Sequence, residues 1–342
     1  MSSLITRRIG RKVRLFILVS LIVIVTFLGY RYFIQAPPRT SITIGLTGLT
    51  TGSWPIYIAK DSGIFESYGL NATVVNLGAG RNVITALAAG QVQFGSVSTD
   101  SVVAAGLEGI DVVTIGTAEK ERPFYLVTRS EITSIHQLRG KIGGVPTVGT
   151  GLSYLAIATM LRKLGLDPTG DVTLVGISGD PAVRLAALKA GKIDFALTTE
   201  PLQARKLGLN ILFYVPDIVE GLPGNAYATA RKYLEENKEI AKGFLKALTE
   251  AAKLFFENKE ASKKILGEWL KEKDPEVLEQ HYQDWIRVAL KIPANNLEQV
   301  RNILEAMAPY TPKAAKADAS VFIDDSIIQE LESEGFFNTI TG

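Results

Sequence analysis

The stretch ALAAGQVQFG, residues 86–95, recurs about one hundred residues later as ALKAGKIDFA, residues 187–196. A Gly-Leu-Asx corner precedes each copy, Gly69-Leu70-Asn71 in the first and Gly165-Leu166-Asp167 in the second. In both copies a helical spacing of apolar residues leads through a glycine into a short apolar run typical of a strand. The repeat therefore predicts two similar α/β lobes facing a shared cleft. Clefts between lobes are common binding places for small molecules.

Short apolar runs alternate with helical stretches on both sides of this repeat. Such alternation is typical of parallel sheets covered by helices on both faces. From Arg231 to about Gly335 the sequence becomes helical and charged, which predicts a helical C-terminal region. Within it an apolar stripe at helical intervals, from Phe244 to Phe255, predicts core packing, with a docking face for a partner helix as the alternative. The predicted strands are 41–47, 72–76, 92–97 and 112–117 in the first unit, and 141–145, 172–176, 193–197 and 211–214 in the second.

The first 40 residues differ in character from the rest. Leu15 to Tyr30 carries no charge, and five Lys or Arg residues precede it. Counted over residues 13–34, the stretch approaches the roughly 20 residues that span a bilayer, so we expect a transmembrane anchor or a signal segment there. Residues 1–12 then form a basic cytoplasmic tail, and residues 35–40 form a linker. An uncleaved anchor is favoured, because the best cleavage position, after Ala36, is followed by proline.

The anchor places the bulk of the chain outside the cytoplasm, in the periplasm or at the cell surface. Without a cysteine, this exported body has neither disulfides nor a lipid-modified cysteine. Seven basic residues and no acidic ones precede residue 41, which leaves 30 basic and 35 acidic side chains in the body. A mildly acidic body gives no compositional support for nucleic-acid binding, and its length suffices for two domains.

Three motifs carry a family resemblance. Residues 55–70 contain PIYIAK, then GIF, then YGL; residues 138–146 read LRGKIGGVP; and residues 187–194 pair Ala-Leu with Gly-Lys-Ile-Asp. Together they resemble segments of the solute-binding proteins that serve ABC importers of nitrate, sulfonate and taurine type. Binders of thiamine precursors are similar to the same group. The resemblance extends over essentially the whole exported body.

The resemblance implies an α/β clamshell of the type II periplasmic-binding-protein class, with a mainly parallel sheet flanked by helices in each lobe. Lobe 1 would comprise residues 41–127 and 225–342, and lobe 2 residues 128–224, with crossings near Val127 to Ser130 and Leu222 to Asn225. It also implies a monomer that captures a small polar or anionic organic solute and delivers it to an ABC permease coupled to an ATPase. The expected function is therefore extracytoplasmic solute binding for import.

The residues of the cleft follow from sheet geometry alone. Loops that leave strand carboxyl ends line the crevice of a doubly wound sheet, and the helices after them present free N–H groups there. Small hydroxyls and glycines dominate these loops, which suits a small polar or anionic ligand held without covalent chemistry. The candidate ligand-binding residues are Thr47, Thr50, Thr51, Trp54, Arg81, Asn82, Ser98, Thr99, Thr150, Ser153, Tyr154, Ser178, Asp180, Thr198 and Glu200.

Several candidates have a structural alternative. Arg81 either contacts the ligand or is a solvated surface charge, and Trp54 either forms a stacking wall or covers the lobe interior. Asp180 stands at a helix start, where capping competes with ligand contact. Glu200 either touches the ligand or caps the next helix, and Tyr154 would seal the cleft from the first turn of its helix.

The charge of the ligand stays open at this point. Arg81 and the helix amino termini favour an anion such as a sulfonate. Asp100, Asp180, Glu200 and Trp54 would suit an amine-bearing or aromatic ring compound. The alternative to a sulfonate, taurine or nitrate is therefore a heteroaromatic vitamin precursor, of thiamine-pyrimidine or riboflavin type, bound by the same scaffold.

Catalysis and sensing are the competing classes. The two histidines, His136 and His281, lie outside the predicted cleft loops, and no cysteine nucleophile exists, so neither a catalytic relay nor a histidine-rich metal site is expected. The glycine-rich stretches lack a dinucleotide fingerprint and a Walker lysine, so no cofactor is expected. The thiamine-precursor synthases that are similar to this group use a cysteine-rich segment absent here. A ligand sensor would need an output domain for which the amino terminus leaves no room.

Overall fold

The structure, a computed structural model, describes residues 39–48, 51–149, 151–177, 181–222 and 224–341. The predicted basic tail, the anchor at 13–34 and most of the linker lie outside these residues. In the ranges described, no helix is long and apolar enough to cross a membrane.

Ten strands in the described ranges form two five-stranded sheets. The first sheet has the order β2-β1-β3-β10-β4, and the second has the order β7-β6-β8-β5-β9. β1 runs parallel to β3, and β6 runs parallel to β7 and β8, which agrees with the mainly parallel sheets predicted from the alternation. The strands are β1 (Thr40–Leu46), β2 (Leu70–Asn76), β3 (Phe94–Ser98), β4 (Val112–Thr117), β5 (Tyr125–Thr128), β6 (Ile142–Val145), β7 (Thr173–Gly176), β8 (Phe195–Thr198), β9 (Asn210–Tyr214) and β10 (Asn225–Ala230).

Helices follow most strands and supply the C-terminal region. The α-helices are α1 (Trp54–Asp61), α2 (Ile64–Ser67), α3 (Gly80–Ala88), α4 (Thr99–Leu107), α5 (Leu152–Lys163), α6 (Pro181–Lys189), α7 (Pro201–Lys206), α8 (Arg231–Glu236), α9 (Lys238–Glu257), α10 (Lys259–Leu270), α11 (Pro275–Ile286), α12 (Leu297–Met307), α13 (Ser326–Ser333) and α14 (Phe336–Thr341). Single 3-10 turns lie at Thr51–Ser53, Ile135–Leu138, Val215–Asp217, Ala314–Lys316 and Ala319–Phe322.

The sequence repeat is also a structural repeat. In each copy a helix, α3 or α6, is followed two residues after its end by a glycine with positive φ, +70° at Gly90 and +68° at Gly191. A left-handed residue is the usual end of a helix, and glycine adopts it without a side-chain clash. The strand that follows places a fully buried phenylalanine, Phe94 in β3 and Phe195 in β8. The repeat therefore encodes the same helix-to-strand corner in both lobes.

One strand in each sheet runs against its neighbours, and these strands carry the chain between lobes. β5 is antiparallel to β8 and β9, and β10 is antiparallel to β3 and β4. The chain leaves the first sheet after Thr117 and has joined the second by Tyr125, a few residues before the crossing expected at Val127 to Ser130. The reason is burial on both faces: Leu126 and Val127 belong to the cores on opposite sides of the second sheet.

The long helix α9 fills one face of the first lobe. Phe244, Leu248, Ala251, Ala252 and Phe255, which recur at helical intervals, are each 3% exposed or less. They belong to one core cluster with β1 and α1. The apolar stripe predicted in this region is therefore core packing, and each large side chain buried there contributes roughly 1.5–3 kcal/mol.

Helix α12 lies beside both crossings and contacts both lobes. Its residues Val300 and Ile303 share a core cluster with α5 of the second lobe and with Val103 of α4. Asn302 Nδ2 donates to the carbonyl oxygen of Gly221 at 3.3 Å. The C-terminal region therefore packs against the second lobe as well as the first.

Candidate functional site

The two reversed strands show that the crossings connect the carboxyl edges of the two sheets. β10 begins at Asn225, opposite Ser98 at the end of β3. β5 begins at Tyr125, opposite Thr198 at the end of β8. Both crossings therefore connect the edge where β3 ends to the edge where β8 ends. A cleft between these edges is where ligands bind in open α/β sheets.

The first-lobe edge carries several predicted residues. Thr47 follows β1 and is half-buried. Arg81 and Asn82 lie in the first turn of α3, after β2, and are exposed. Asn82 Nδ2 donates to the carbonyl oxygen of Leu77 at 2.7 Å, so this side chain holds the loop together while the Arg81 guanidinium remains at the surface. Because β2 and β1 are neighbours, these residues share one edge.

The loop after β3 is more tightly held. Thr99 is buried, and its hydroxyl donates to the carbonyl oxygen of Gly224 at 3.2 Å, which ties it to the second crossing. Ser98 Oγ lies 2.9 Å from Ser101 Oγ. Asp100 is also buried, and burial raises the pKa of its carboxyl although Ser98 and Arg122 oppose that rise. One oxygen of Asp100 makes no hydrogen bond within the described residues.

The second-lobe edge offers Thr198, Glu200 and Ser153. Thr198 is buried, and its hydroxyl accepts the backbone N–H of Glu200 at 3.0 Å, so this hydroxyl organises the loop that follows β8. Ser153 lies in the first turn of α5 and is half-buried. Thr198 and Glu200 therefore lie on one edge loop, and Ser153 starts the helix after the neighbouring β6.

Two aromatic candidates lie in the protein interior. Trp54 is fully buried and stacks on Phe255 with ring centres 4.0 Å apart, so its ring is core and not a cleft wall. Tyr154 is 4% exposed, and its ring meets that of Tyr310 at 5.1 Å. Both residues start helices whose first turns already pack inward. Of the two alternatives for Trp54, the structure therefore supports the one in which it covers the lobe interior. The ring of Tyr154 packs against Tyr310, and its role in sealing the cleft stays a prediction.

Four candidates lie outside the described residues. They are Thr50, Thr150, Ser178 and Asp180. The backbone of Thr51 forms part of a 3-10 turn, but its side chain is likewise outside the description. Their predicted ligand contact stays a prediction.

A buried polar network that the sequence reading missed joins the first cleft loop to both crossings. Ser53 Oγ donates to Ser96 Oγ at 3.1 Å, and Asn225 Nδ2 donates to the same Ser96 oxygen at 3.3 Å. Arg122 donates to Asn225 Oδ1 and forms an ion pair with Glu119 at 3.3 Å. Glu119 Oε1 also accepts the backbone N–H of Asn225 at 2.7 Å. We call these five residues the crossing network.

The crossing network leaves no room for side chains beside it. A Cβ at Gly224 would lie 1.4 Å from Glu119 Oε1, and one at Gly52 would lie 2.6 Å from Arg122 Nη1. Burial raises the pKa of Glu119 to about 7, against the opposing effects of Arg122 and the Asn225 N–H. The run of charges from 119 to 122, directly after the buried strand β4, is the signal that could have indicated a polar crossing.

The lobes also touch along helix α11. Tyr125 donates from its hydroxyl to Asp284 Oδ1 at 2.7 Å. The Arg287 guanidinium carbon lies 4.6 Å from the ring centre of Tyr214, and Lys206 Nζ lies 2.6 Å from Asp274 Oδ2. In the part of the chain described, no group of three or more His, Cys, Asp or Glu side chains could hold a metal ion. The arrangement as a whole can bind a polar solute through hydroxyls and helix N–H groups.

Comparison with a protein-family model places the chain among known sequences. The model described as NMT1/THI5 like matches residues 50–262, a range that contains all three motifs of the resemblance and confirms it. The taurine-binding periplasmic protein of Escherichia coli (strain K12) is 23% identical over 227 residues, which cover 65% of this chain and 67% of that protein.

Solved structures share the fold. The periplasmic aliphatic sulphonate binding protein SsuA from Escherichia coli superposes with a TM-score of 0.69 at 22% identity, covering 83% of this chain and 92% of that one. The periplasmic nitrate-binding protein NrtA from Synechocystis PCC 6803 gives 0.65 at 16% identity, covering 87% and 90%. The α/β two-sheet periplasmic-binding-protein fold predicted from the sequence is confirmed, and this chain is close to periplasmic ABC-type solute-binding proteins.

Proposed function

Because this chain belongs to the NMT1/THI5-like family, we propose that it is the extracytoplasmic solute-binding component of an ABC importer. It captures a small polar or anionic organic solute between its lobes and hands it to a permease, which is driven by an ATPase. Its own part is binding without turnover, and it requires no cofactor or metal.

The observation that carries this proposal is the pair of facing sheet edges. Hydroxyls of Thr47, Ser98 and Thr198 and the amino-terminal turns of α3 and α5 lie along these edges. Helix amino termini present unpaired N–H groups that favour anions. Hydrogen bonds from both lobes can form together only when the lobes are close, so a bound solute stabilises the closed arrangement.

A sulfonate, taurine or nitrate is the solute class we favour. The relatives are named for taurine, aliphatic sulphonate and nitrate. Arg81 adds an exposed cation to the first-lobe edge, which would attract an anion at that helix start. We further propose that Thr50, Thr150, Ser178 and Asp180 complete the cleft loops.

The proposal also covers the lobe bounds, the membrane anchor and the oligomeric state. Lobe 1 comprises residues 41–117 and 225–342, and lobe 2 begins by residue 125, earlier than predicted, and extends to residue 224. Residues 13–34 anchor the chain in the membrane, with the body in the periplasm or at the cell surface. The body acts as a monomer that meets the permease through its lobes.

A second solute class, a heteroaromatic vitamin precursor, would use Tyr125 and Tyr214, whose half-buried rings lie at the second-lobe edge.

The test is a thermal-shift screen of the purified body, residues 37–342. The probes are taurine, butanesulfonate, nitrate, a thiamine pyrimidine and riboflavin, each followed by calorimetry. We expect one sulfonate or nitrate to bind with one molecule per chain and micromolar or better affinity. Failure of every probe to shift the melting temperature would contradict the proposal, and a shift by the pyrimidine or riboflavin alone would favour the second solute class.

Arg81 supplies a residue-level test of the anion. Arg81→Ala should weaken binding of the anionic probe about tenfold, which corresponds to about 1.4 kcal/mol. The matched control is Arg139→Ala, because Arg139 pairs with Asp171 within the second lobe, away from the first-lobe edge. Equal affinities of the two variants would remove Arg81 from the site.

A further inference from the structure

Helix α11 belongs to the first lobe by its packing. Tyr282 and Trp285 are buried in the same core cluster as β1, α1 and α9. The opposite side of the helix faces the second lobe, where α7 contacts it. Apart from the crossings and α12, this helix is therefore a separate place where the lobes meet.

Near its carboxyl end α11 contacts the second lobe through one hydrogen bond and one cation–π contact. Asp284 is 3% exposed and accepts both the Tyr125 hydroxyl at 2.7 Å and Gln280 Nε2 at 2.9 Å. Tyr125 starts strand β5 of the second sheet, so the first of these hydrogen bonds spans the lobes. Arg287 stacks on Tyr214, the last residue of β9, at 4.6 Å. Both contacts lie close to the first crossing.

At its amino end α11 makes a second contact across the lobes. Lys206, the last residue of α7, pairs with Asp274 at 2.6 Å and approaches Glu276 at 3.8 Å. Asp274 is also the N-cap of α11, because its carboxylate accepts the Glu276 N–H at 2.9 Å. Ten residues separate it from Asp284, about 15 Å along a helix at 1.5 Å per residue. A rotation about the crossings would therefore move Lys206 farther than Tyr125.

The same surface buries polar atoms without protein partners. Asp284 Oδ2, the Tyr214 hydroxyl and His281 Nδ1 are buried and make no hydrogen bond within the described residues. Burying such atoms costs free energy that water recovers when the surfaces separate. This cost offsets part of the free energy that the contacts across α11 contribute.

We propose that α11 is the first-lobe surface on which the second lobe closes, with Asp284 and Asp274 as positioning residues that hold Tyr125 and Lys206. We call these two pairs the closure seam. This inference rests on the proposed function, since it concerns how the closed, solute-holding arrangement is stabilised. Neither aspartate needs to touch the solute, because each acts through its partner on the other lobe.

Distances between the lobes test the closure seam without any solute. The chain has no cysteine, so Glu108→Cys on the first lobe and Lys192→Cys on the second, both exposed, give two unique spin-label sites. We expect Tyr125→Phe combined with Lys206→Ala to at least halve the fraction of short distances. Arg139→Ala, which breaks a pair inside the second lobe, should leave the distribution unchanged. Equal distributions in parent and seam variant would overturn the inference.

Asp284→Asn separates positioning from general packing. Its amide oxygen still accepts the Tyr125 hydroxyl, so we expect the parent distances, whereas Asp284→Ala should show the long ones. Long distances in both variants would overturn the role assigned to this hydrogen bond. Circular dichroism of each variant checks that the chain is folded.

Taurine release provides the functional arm. With taurine as probe, the seam variant should release about tenfold faster than the parent at a similar association rate. In the double variant Lys206→Cys with Asp274→Cys, cross-linking the two thiols with a short bismaleimide should slow taurine release at least tenfold. The matched pair Arg139→Cys and Asp171→Cys, within one lobe, should leave release unchanged. Unaltered release from the joined seam would overturn the inference; if taurine does not bind the parent at all, the choice of solute fails and the label distances alone decide on the seam.

Discussion

Glu119 allows a quantitative test of the crossing network through pH. Its carboxyl is fully buried, accepts the Asn225 N–H and pairs with Arg122. Burial outweighs these contacts and raises its pKa from the ordinary 4.5 to about 7. Glu119→Gln replaces this carboxyl by a neutral group of the same shape that can still accept the Asn225 N–H.

The direction in which pH changes the free energy of unfolding follows from proton binding. Between pH 4.5 and about 7 the folded protein keeps the Glu119 proton that the unfolded chain has lost, so stability falls as pH rises through this window. Each pH unit changes the free energy of unfolding by about 1.4 kcal/mol. Over the whole window the Glu119 contribution is therefore about 3 kcal/mol, present below pH 4.5 and lost above about pH 7.

The measurement is urea unfolding of the body at pH 4, 5, 6, 7 and 8, for the parent and Glu119→Gln. Other buried carboxyls, such as Asp100 and Asp284, titrate in both proteins, so the difference between the two curves isolates Glu119. As pH rises from 4 to 8, we expect the free energy of unfolding of the variant to increase by about 3 kcal/mol relative to that of the parent. Glu235→Gln, at an exposed carboxyl, is the control. Parallel curves for parent and Glu119→Gln would refute the argument that burial dominates this site.

Two further predictions concern packing. Gly224→Ala places a Cβ 1.4 Å from Glu119 Oε1, so we expect the free energy of unfolding to fall by about 3 kcal/mol. Urea titration measures this loss, and an unchanged midpoint of unfolding would contradict the close approach of Gly224 to Glu119. Phe255→Ala removes the ring on which Trp54 stacks and should cost about 3–5 kcal/mol, with Phe256→Ala, at a half-buried ring, costing less in the same assay.

Local patterns predicted the parts of the fold that local interactions determine. The repeat at 86–95 and 187–196 indicated two lobes, because a helix, a glycine corner and a strand can be read within ten residues. The apolar spacing around Phe244 and Phe255 likewise identified a core helix. The first crossing lies earlier in the chain than predicted, because the sequence of the apolar run at 124–128 does not indicate which of the two sheets it joins.

The site was less accessible to such reasoning. Thr47, Ser98 and Thr198 could be placed on sheet edges because strand ends can be predicted. The sequence could not decide between the two alternatives for Trp54, since its burial depends on Phe255, about two hundred residues away in the sequence. The crossing network was missed for the same reason: Glu119 and Asn225 are 106 positions apart, and no periodicity connects them.

The crossing network and the closure seam differ in a way that matters for binding. Glu119, Arg122 and Asn225 are held in a buried network at the crossings, so this network can persist whether the lobes are open or closed. The Lys206–Asp274 pair spans the lobes, and its side chains are about 40% exposed, where an ion pair contributes roughly 0–1 kcal/mol. Moving an open-to-closed equilibrium from 1:99 to 99:1 takes about 5.5 kcal/mol. The Tyr125–Asp284 hydrogen bond, with its charged acceptor, adds about 1.5–3 kcal/mol. The two pairs together supply only part of what closure takes, so closure depends also on the contacts that the solute makes with both edges.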